Sequence, residues 1–100
     1  MPIVEFSVVP IGTGETSVSR YVRIALEVVK ESGLDYEVNP MGTCLQGGWD
    51  DVFSTIGKIH ERLAQMGCQR IVTTIKVDDR RDEPMPMRNK VNRVTGRSGT

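Results

Sequence analysis

The chain has 100 residues, and 13 Lys and Arg balance 13 Asp and Glu for a formal net charge of zero. That length holds one ordinary domain, and the neutral balance lacks the basic footprint of a nucleic-acid or membrane-surface binder. Hydrophobic residues make up 38%, too many for a fully disordered chain, yet no apolar run approaches the roughly 20 residues needed to span a bilayer.

Ile3 to Val9 is rich in β-branched residues and alternates, with Val4, Phe6 and Val8 on one side and Glu5 and Ser7 on the other. This pattern predicts a half-buried strand that Pro10 ends. The start of the chain carries neither a basic n-region nor an apolar h-region, which predicts a cytoplasmic protein. After the turn-rich Ile11 to Thr16, a helix is expected over residues 17–32, capped by Thr16 or Ser17. Its apolar stripe reads Val18, Tyr21, Val22, Ala25, Val28 and Val29, and Gly33 suits its C-terminal stop.

Tyr36 to Asn39 and Met41 to Gln46 read as two short strands joined around Pro40, an antiparallel hairpin. Gly47 and Gly48 break the chain, and Asp50 is expected to cap a second helix with Asp51 near its positive end. Val52, Ile56, Ile59, Leu63 and Met66 recur at helical spacing before Gly67. Gln69 to Val77 is the strongest strand. It carries Ile71, Thr73, Ile75 and Val77 on one face and Val72, Thr74 and Lys76 on the other.

The order is β-α-β-β-α-β. Two interleaved right-handed crossovers give an α+β, ferredoxin-like sandwich: a four-stranded antiparallel sheet with both helices on one face. Residues 1–82 form this domain. Residues 83–100 form a C-terminal tail, with a short helix expected over 87–94 and frayed residues beyond it.

The uncovered sheet face is the candidate site. Glu5, Ser7, Thr74 and Lys76 point to it by alternation, and Asn39 and Thr43 are expected to join from the hairpin. Convergent polar groups of this kind suit either a small-molecule pocket or a solvated oligomer interface. Val9, Met41 and Val72 add apolar surface there, which favours self-association.

Other features carry less chemistry. His60 is the single histidine and belongs to no Ser–His–Asp or Cys–His arrangement, so it reads as structural. Cys44 and Cys68 are the only cysteines, fit no Cys-x-x-Cys spacing and read as reduced core thiols. Asp78 to Asp82 alternates in sign and reads as a solvated turn with local ion pairs. It meets no cation-loop spacing. Gly12-Thr13-Gly14 lacks a full phosphate-loop pattern and reads as a turn. Trp49 reads as a packing anchor. An RNA-recognition role would need stacking aromatics on the third strand, and that strand has none.

Four strings together resemble the small thiamine-binding protein family over residues 3–82. They are Glu5-Phe6-Ser7-Val8-Val9-Pro10-Ile11-Gly12-Thr13, Ser17-Val18-Ser19-Arg20-Tyr21-Val22, Pro40-Met41-Gly42-Thr43 and Thr73-Thr74-Ile75-Lys76-Val77-Asp78-Asp79-Arg80-Arg81-Asp82. The resemblance implies a ferredoxin-like fold and dimers assembled into tetramers through sheet contacts. It also implies non-catalytic binding of thiamine, thiamine phosphate or a pyrimidine such as hydroxymethylpyrimidine. No cofactor or metal is implied. Strand alternation puts the ligand on Glu5, Ser7, Asn39, Thr43, Thr74 and Lys76. Glu5 would offset a cation or accept from an exocyclic amine, and the hydroxyls would meet ring nitrogens or the hydroxyethyl group. Lys76 would pair with Glu5, meet a phosphate or serve an interface. The competing reading is a structural or regulatory homo-oligomer that binds another small metabolite, such as an amino acid.

Overall fold

A computed structural model of the chain describes residues 1–14, 19–82 and 87. The elements run β1 (Ile3–Ile11), α1 (Ser19–Ser32), β2 (Asp35–Asn39), β3 (Gly42–Gln46), α2 (Trp49–Gln65) and β4 (Arg70–Asp78). They form one four-stranded antiparallel sheet in the order β2-β3-β1-β4, the ferredoxin-like α+β arrangement. The Thr16 or Ser17 cap, the stripe position of Val18 and the tail other than Met87 lie outside the described residues.

Paired residues in an antiparallel ladder share a face, so the register sorts the sheet. Tyr36, Leu45, Val4 and Val77 form one row on the helix side, and Val38, Thr43, Phe6 and Ile75 form the next. The central members Val4, Leu45 and Phe6 are buried, whereas Val38, Ile75 and Val77 on the outer strands stay partly exposed. Two helices cover the middle strands of the sheet better than its edges.

Strand β1 continues through Pro10 to Ile11. Pro10 does not end it because β3 pairs with β1 only as far as Phe6, leaving β4 as the sole partner beyond that point among the described residues. A residue without an N–H is tolerated beside an unpaired edge. Helix α1 buries Tyr21, Val28 and Val29, with Ile24 and Ala25 packed beside them. Val22 is 48% exposed and stands off the stripe, a correction to its expected core position.

Helix α2 buries Val52, Ile56, Ile59 and Leu63 as the spacing predicts. Its N-cap residue is Gly48, without a side-chain cap, and Asp50 and Asp51 lie in the first turn. Asp50 therefore acts through the helix dipole rather than as a cap. At the other end Gly67 adopts φ 99°, and Cys68 N–H donates to Leu63 O at 3.1 Å, closing the helix in a left-handed turn.

Gly42 is the residue that lets the hairpin approach β1. A methyl group there would stand 2.8 Å from the Phe6 carbonyl oxygen. Gly42→Ala is expected to lower the unfolding free energy by about 1–3 kcal/mol and Tm by about 4 °C or more, measured by thermal denaturation.

Candidate functional site

The face away from the helices carries a row that crosses all four strands: Glu37, Cys44, Glu5 and Lys76. Each is the direct cross-strand neighbour of the next, so the side chains stand close together on one side of the sheet. Asp35, Gln46, Ile3 and Asp78 form the flanking row at one end. On the other side Ser7 faces Thr74, and beyond them Val9 faces Val72. The face is thus polar at its centre and apolar toward the far end of β1.

Glu5, Ser7, Thr74 and Lys76 lie on this open face, as alternation predicts. Asn39 joins them, and its Nδ2 donates to Cys44 Sγ at 3.4 Å. Thr43 does not. Strands β2 and β3 pair Asn39 with Gly42 and Val38 with Thr43. A hairpin with that register sends positions 39 and 43 to opposite faces, so Thr43 sits with Phe6 on the helix side.

An open-face cavity of about 310 Å³ is lined by Ile3, Glu5, Glu37, Asn39, Cys44, Lys76, Asp78 and Met87. A second cavity of about 200 Å³ lies between α1 and the β2–β3 turn, where Phe6, Ser7, Tyr21, Val22, Met41 and Thr43 line it. Asn39 borders both. Among the expected site residues, Glu5, Asn39 and Lys76 therefore share the first cavity, and Ser7 and Thr43 share the second. Thr74 lines neither.

Gln46 stands in the flanking row, next to Ile3 of the open-face cavity. It is only 8% exposed, and its Oε1 accepts from the Met87 backbone N–H at 2.9 Å while its Nε2 donates to Met1 O at 3.4 Å. Both ends of the amide are used, and the side chain ties the first residue and Met87 to β3. Met87 is buried and forms one wall of the cavity.

Cys44 is half-buried on the open face, not in the core where it was expected, whereas Cys68 belongs to the core. Burial pushes the Cys44 thiol up from its ordinary pKa. The amide of Asn39 opposes that shift, and the nearby Glu5 and Glu37 carboxylates add to it. Cys44 thus presents a neutral thiol at physiological pH, a weak nucleophile and a modest hydrogen-bonding group.

The sequence reading missed Glu37, Cys44, Asp78, Ile3 and Met87 as cavity residues. Glu37 was readable from the alternation of Tyr36, Glu37 and Val38. Met87 carried no signal, because its position depends on a contact with Gln46, 41 residues away in sequence.

The remaining features are structural. His60 Nε2 meets Thr73 Oγ1 at 2.5 Å, joining α2 to β4. Trp49 is 43% exposed and stacks on Phe53 with ring centroids 5.9 Å apart, a surface pair rather than a core anchor. Asp79 and Arg81 pair at 2.8 Å, and Arg80 and Asp82 at 3.2 Å, the local ion pairs expected of that turn. Such exposed pairs contribute little to stability. Among the described residues no group of three or more His, Cys, Asp or Glu side chains is placed to hold a metal ion. No described helix is long and apolar enough to cross a membrane.

A family model described as "Thiamine-binding protein" matches residues 4–95. The chain belongs to the thiamine-binding protein family. Similar members include a UPF0045 protein of Methanothermobacter thermautotrophicus, 41% identical over 91 residues that cover 90% of this chain and 92% of the relative. A second is the Bacillus subtilis UPF0045 protein YqgV, 36% identical with 94% of each chain covered. The fold recurs in the crystal structure of a hypothetical protein from Methanocaldococcus jannaschii, with a TM-score of 0.84, 33% identity and 96% of both chains covered. It recurs too in a Thermotoga maritima protein provisionally assigned to thiamine biosynthesis or salvage. There the TM-score is 0.80 at 22% identity, over 93% of this chain and 97% of that one. Membership in the thiamine-binding protein family agrees with the four resembling strings, each of which contributes residues to the two cavities.

Proposed function

We propose that the protein binds thiamine or a related pyrimidine in the open-face cavity, without transforming it, as a cytoplasmic homo-oligomer. The observation that carries this reading is the Glu37–Cys44–Glu5–Lys76 row inside a cavity of about 310 Å³, in a chain of the thiamine-binding family. A volume near 300 Å³ lies at the lower end of small-molecule sites.

The chemistry of the lining suits such a ligand. Glu5 and Glu37 offer acceptors and negative charge to an exocyclic amine and to a thiazolium cation. Asn39 offers a donor and an acceptor to a ring nitrogen and its neighbour. Ile3 and Met87 supply the apolar walls against which a flat ring packs. The two free thiols support a reducing compartment. Val9 and Val72 support self-association, being 47% and 43% exposed on the same face, so a second copy would cover them.

Isothermal calorimetry with thiamine and hydroxymethylpyrimidine tests the reading. A ligand at 100 times its Kd adds about 2.7 kcal/mol of stability, which raises Tm by roughly 10 °C or more. Heat and a thermal shift with either compound support the proposal. Neither signal at millimolar ligand overturns it. A thermal shift with amino acids alone would favour the competing metabolite reading.

A further inference from the structure

The polar row bears on which form of the ligand the cavity accepts. Lys76 is the single basic residue among the described residues that line the cavity, and β1–β4 pairing sets it directly opposite Glu5. Asp78 lies two residues further along β4, on the same face. Glu37 stands at the far end of the row with Cys44 between it and Glu5. A cysteine side chain offers no positive charge to an anion. The lysine is thus flanked by carboxylates, and a phosphate brought to it meets Glu5 and Asp78 at the same time.

From this arrangement we propose that the open-face cavity selects the unphosphorylated, cationic form of its ligand and discriminates against phosphate esters. The inference rests on the open-face reading above and names the ligand class of that same site. Thiamine carries one positive charge on its thiazolium ring, which the surplus of carboxylates among the described lining residues attracts. A phosphate monoester adds about −1.5 to −2 charges at neutral pH and turns the ligand into a net anion. The diphosphate is more negative still. Attraction becomes repulsion with no change in either ring, so the discrimination resides in charge rather than shape.

The test is a calorimetric titration of the full-length protein with thiamine, thiamine monophosphate and thiamine diphosphate, at low and at high salt. Thiamine is expected to bind tightest and the monophosphate about tenfold weaker, with the diphosphate weaker again. High salt should narrow the gap, because the cavity is open to solvent and its charges are screened. Glu37→Gln should narrow it as well, with the fold checked by circular dichroism. Thiamine binding with equal or tighter affinity for its phosphates overturns the selectivity and leaves the binding reading intact. A gap unmoved by salt and by Glu37→Gln overturns the electrostatic origin. Failure of all three compounds to bind overturns the binding reading itself, and the selectivity with it.

Discussion

Leu45→Ala is expected to lower the unfolding free energy by about 2–5 kcal/mol, a large loss for a single truncation. Leu45 is completely buried and stands in the helix-side row between Tyr36 and Val4. It belongs to the core cluster that joins β1, β3, α1 and α2. Removing its isobutyl group takes away apolar burial and leaves a cavity. Strand β3 is held on both sides by β1 and β2, which limits how far the site can collapse. For a domain of this length the loss corresponds to a fall in Tm of about 8 °C or more. Thermal and urea denaturation of the variant measure it, and the urea midpoint should fall with an unchanged slope. Val22→Ala supplies the contrast. Val22 is also a branched aliphatic residue but is 48% exposed, and its truncation should cost no more than about 1 kcal/mol.

Glu5→Lys should weaken thiamine binding by about a hundredfold, since it reverses a charge in the middle of the row that faces the ligand. The fold should survive. Glu5 is exposed on the open face, and setting a lysine opposite Lys76 costs the sheet about 0.2–1 kcal/mol. Calorimetry reads the affinity, circular dichroism the fold and size-exclusion chromatography the assembly. Unchanged affinity in a folded variant would remove the ligand from the open-face cavity and direct attention to the cavity beside the β2–β3 turn. Dissociation of the assembly with affinity retained would mark the row as an interface rather than a pocket.

The helix-side core was legible in the sequence wherever the hydrophobic period was clean. Val4, Phe6 and Val8 alternate, and Val52, Ile56, Ile59 and Leu63 recur every three or four residues. Both patterns arise from one side of an element facing apolar neighbours, so they survive in the linear chain. Helix α1 was less legible because the choice between Val22 and Ile24 turns on a few degrees of rotation about the helix axis. That rotation is set by what packs against it. The site divides in the same way. Glu5, Ser7, Thr74 and Lys76 were placed on one face by counting in twos along two long strands. Asn39 and Thr43 were not separable, because the parity between them depends on how many residues the hairpin turn contains.

Alternation and glycine placement along the chain determined the β-α-β-β-α-β order, the helix-facing residues of β1 and α2, and the four strings shared with the thiamine-binding family. Tertiary structure alone decided three things. It brought Glu37, Cys44, Glu5 and Lys76 into one row, put Thr43 on the opposite face, and set Met87 over Gln46 as a wall of the cavity. The reason is physical. Period and turn chemistry are local and act within a few residues, whereas strand order and register are fixed by packing between segments far apart in the chain, and a shift of one residue in any ladder would exchange the two faces of the sheet.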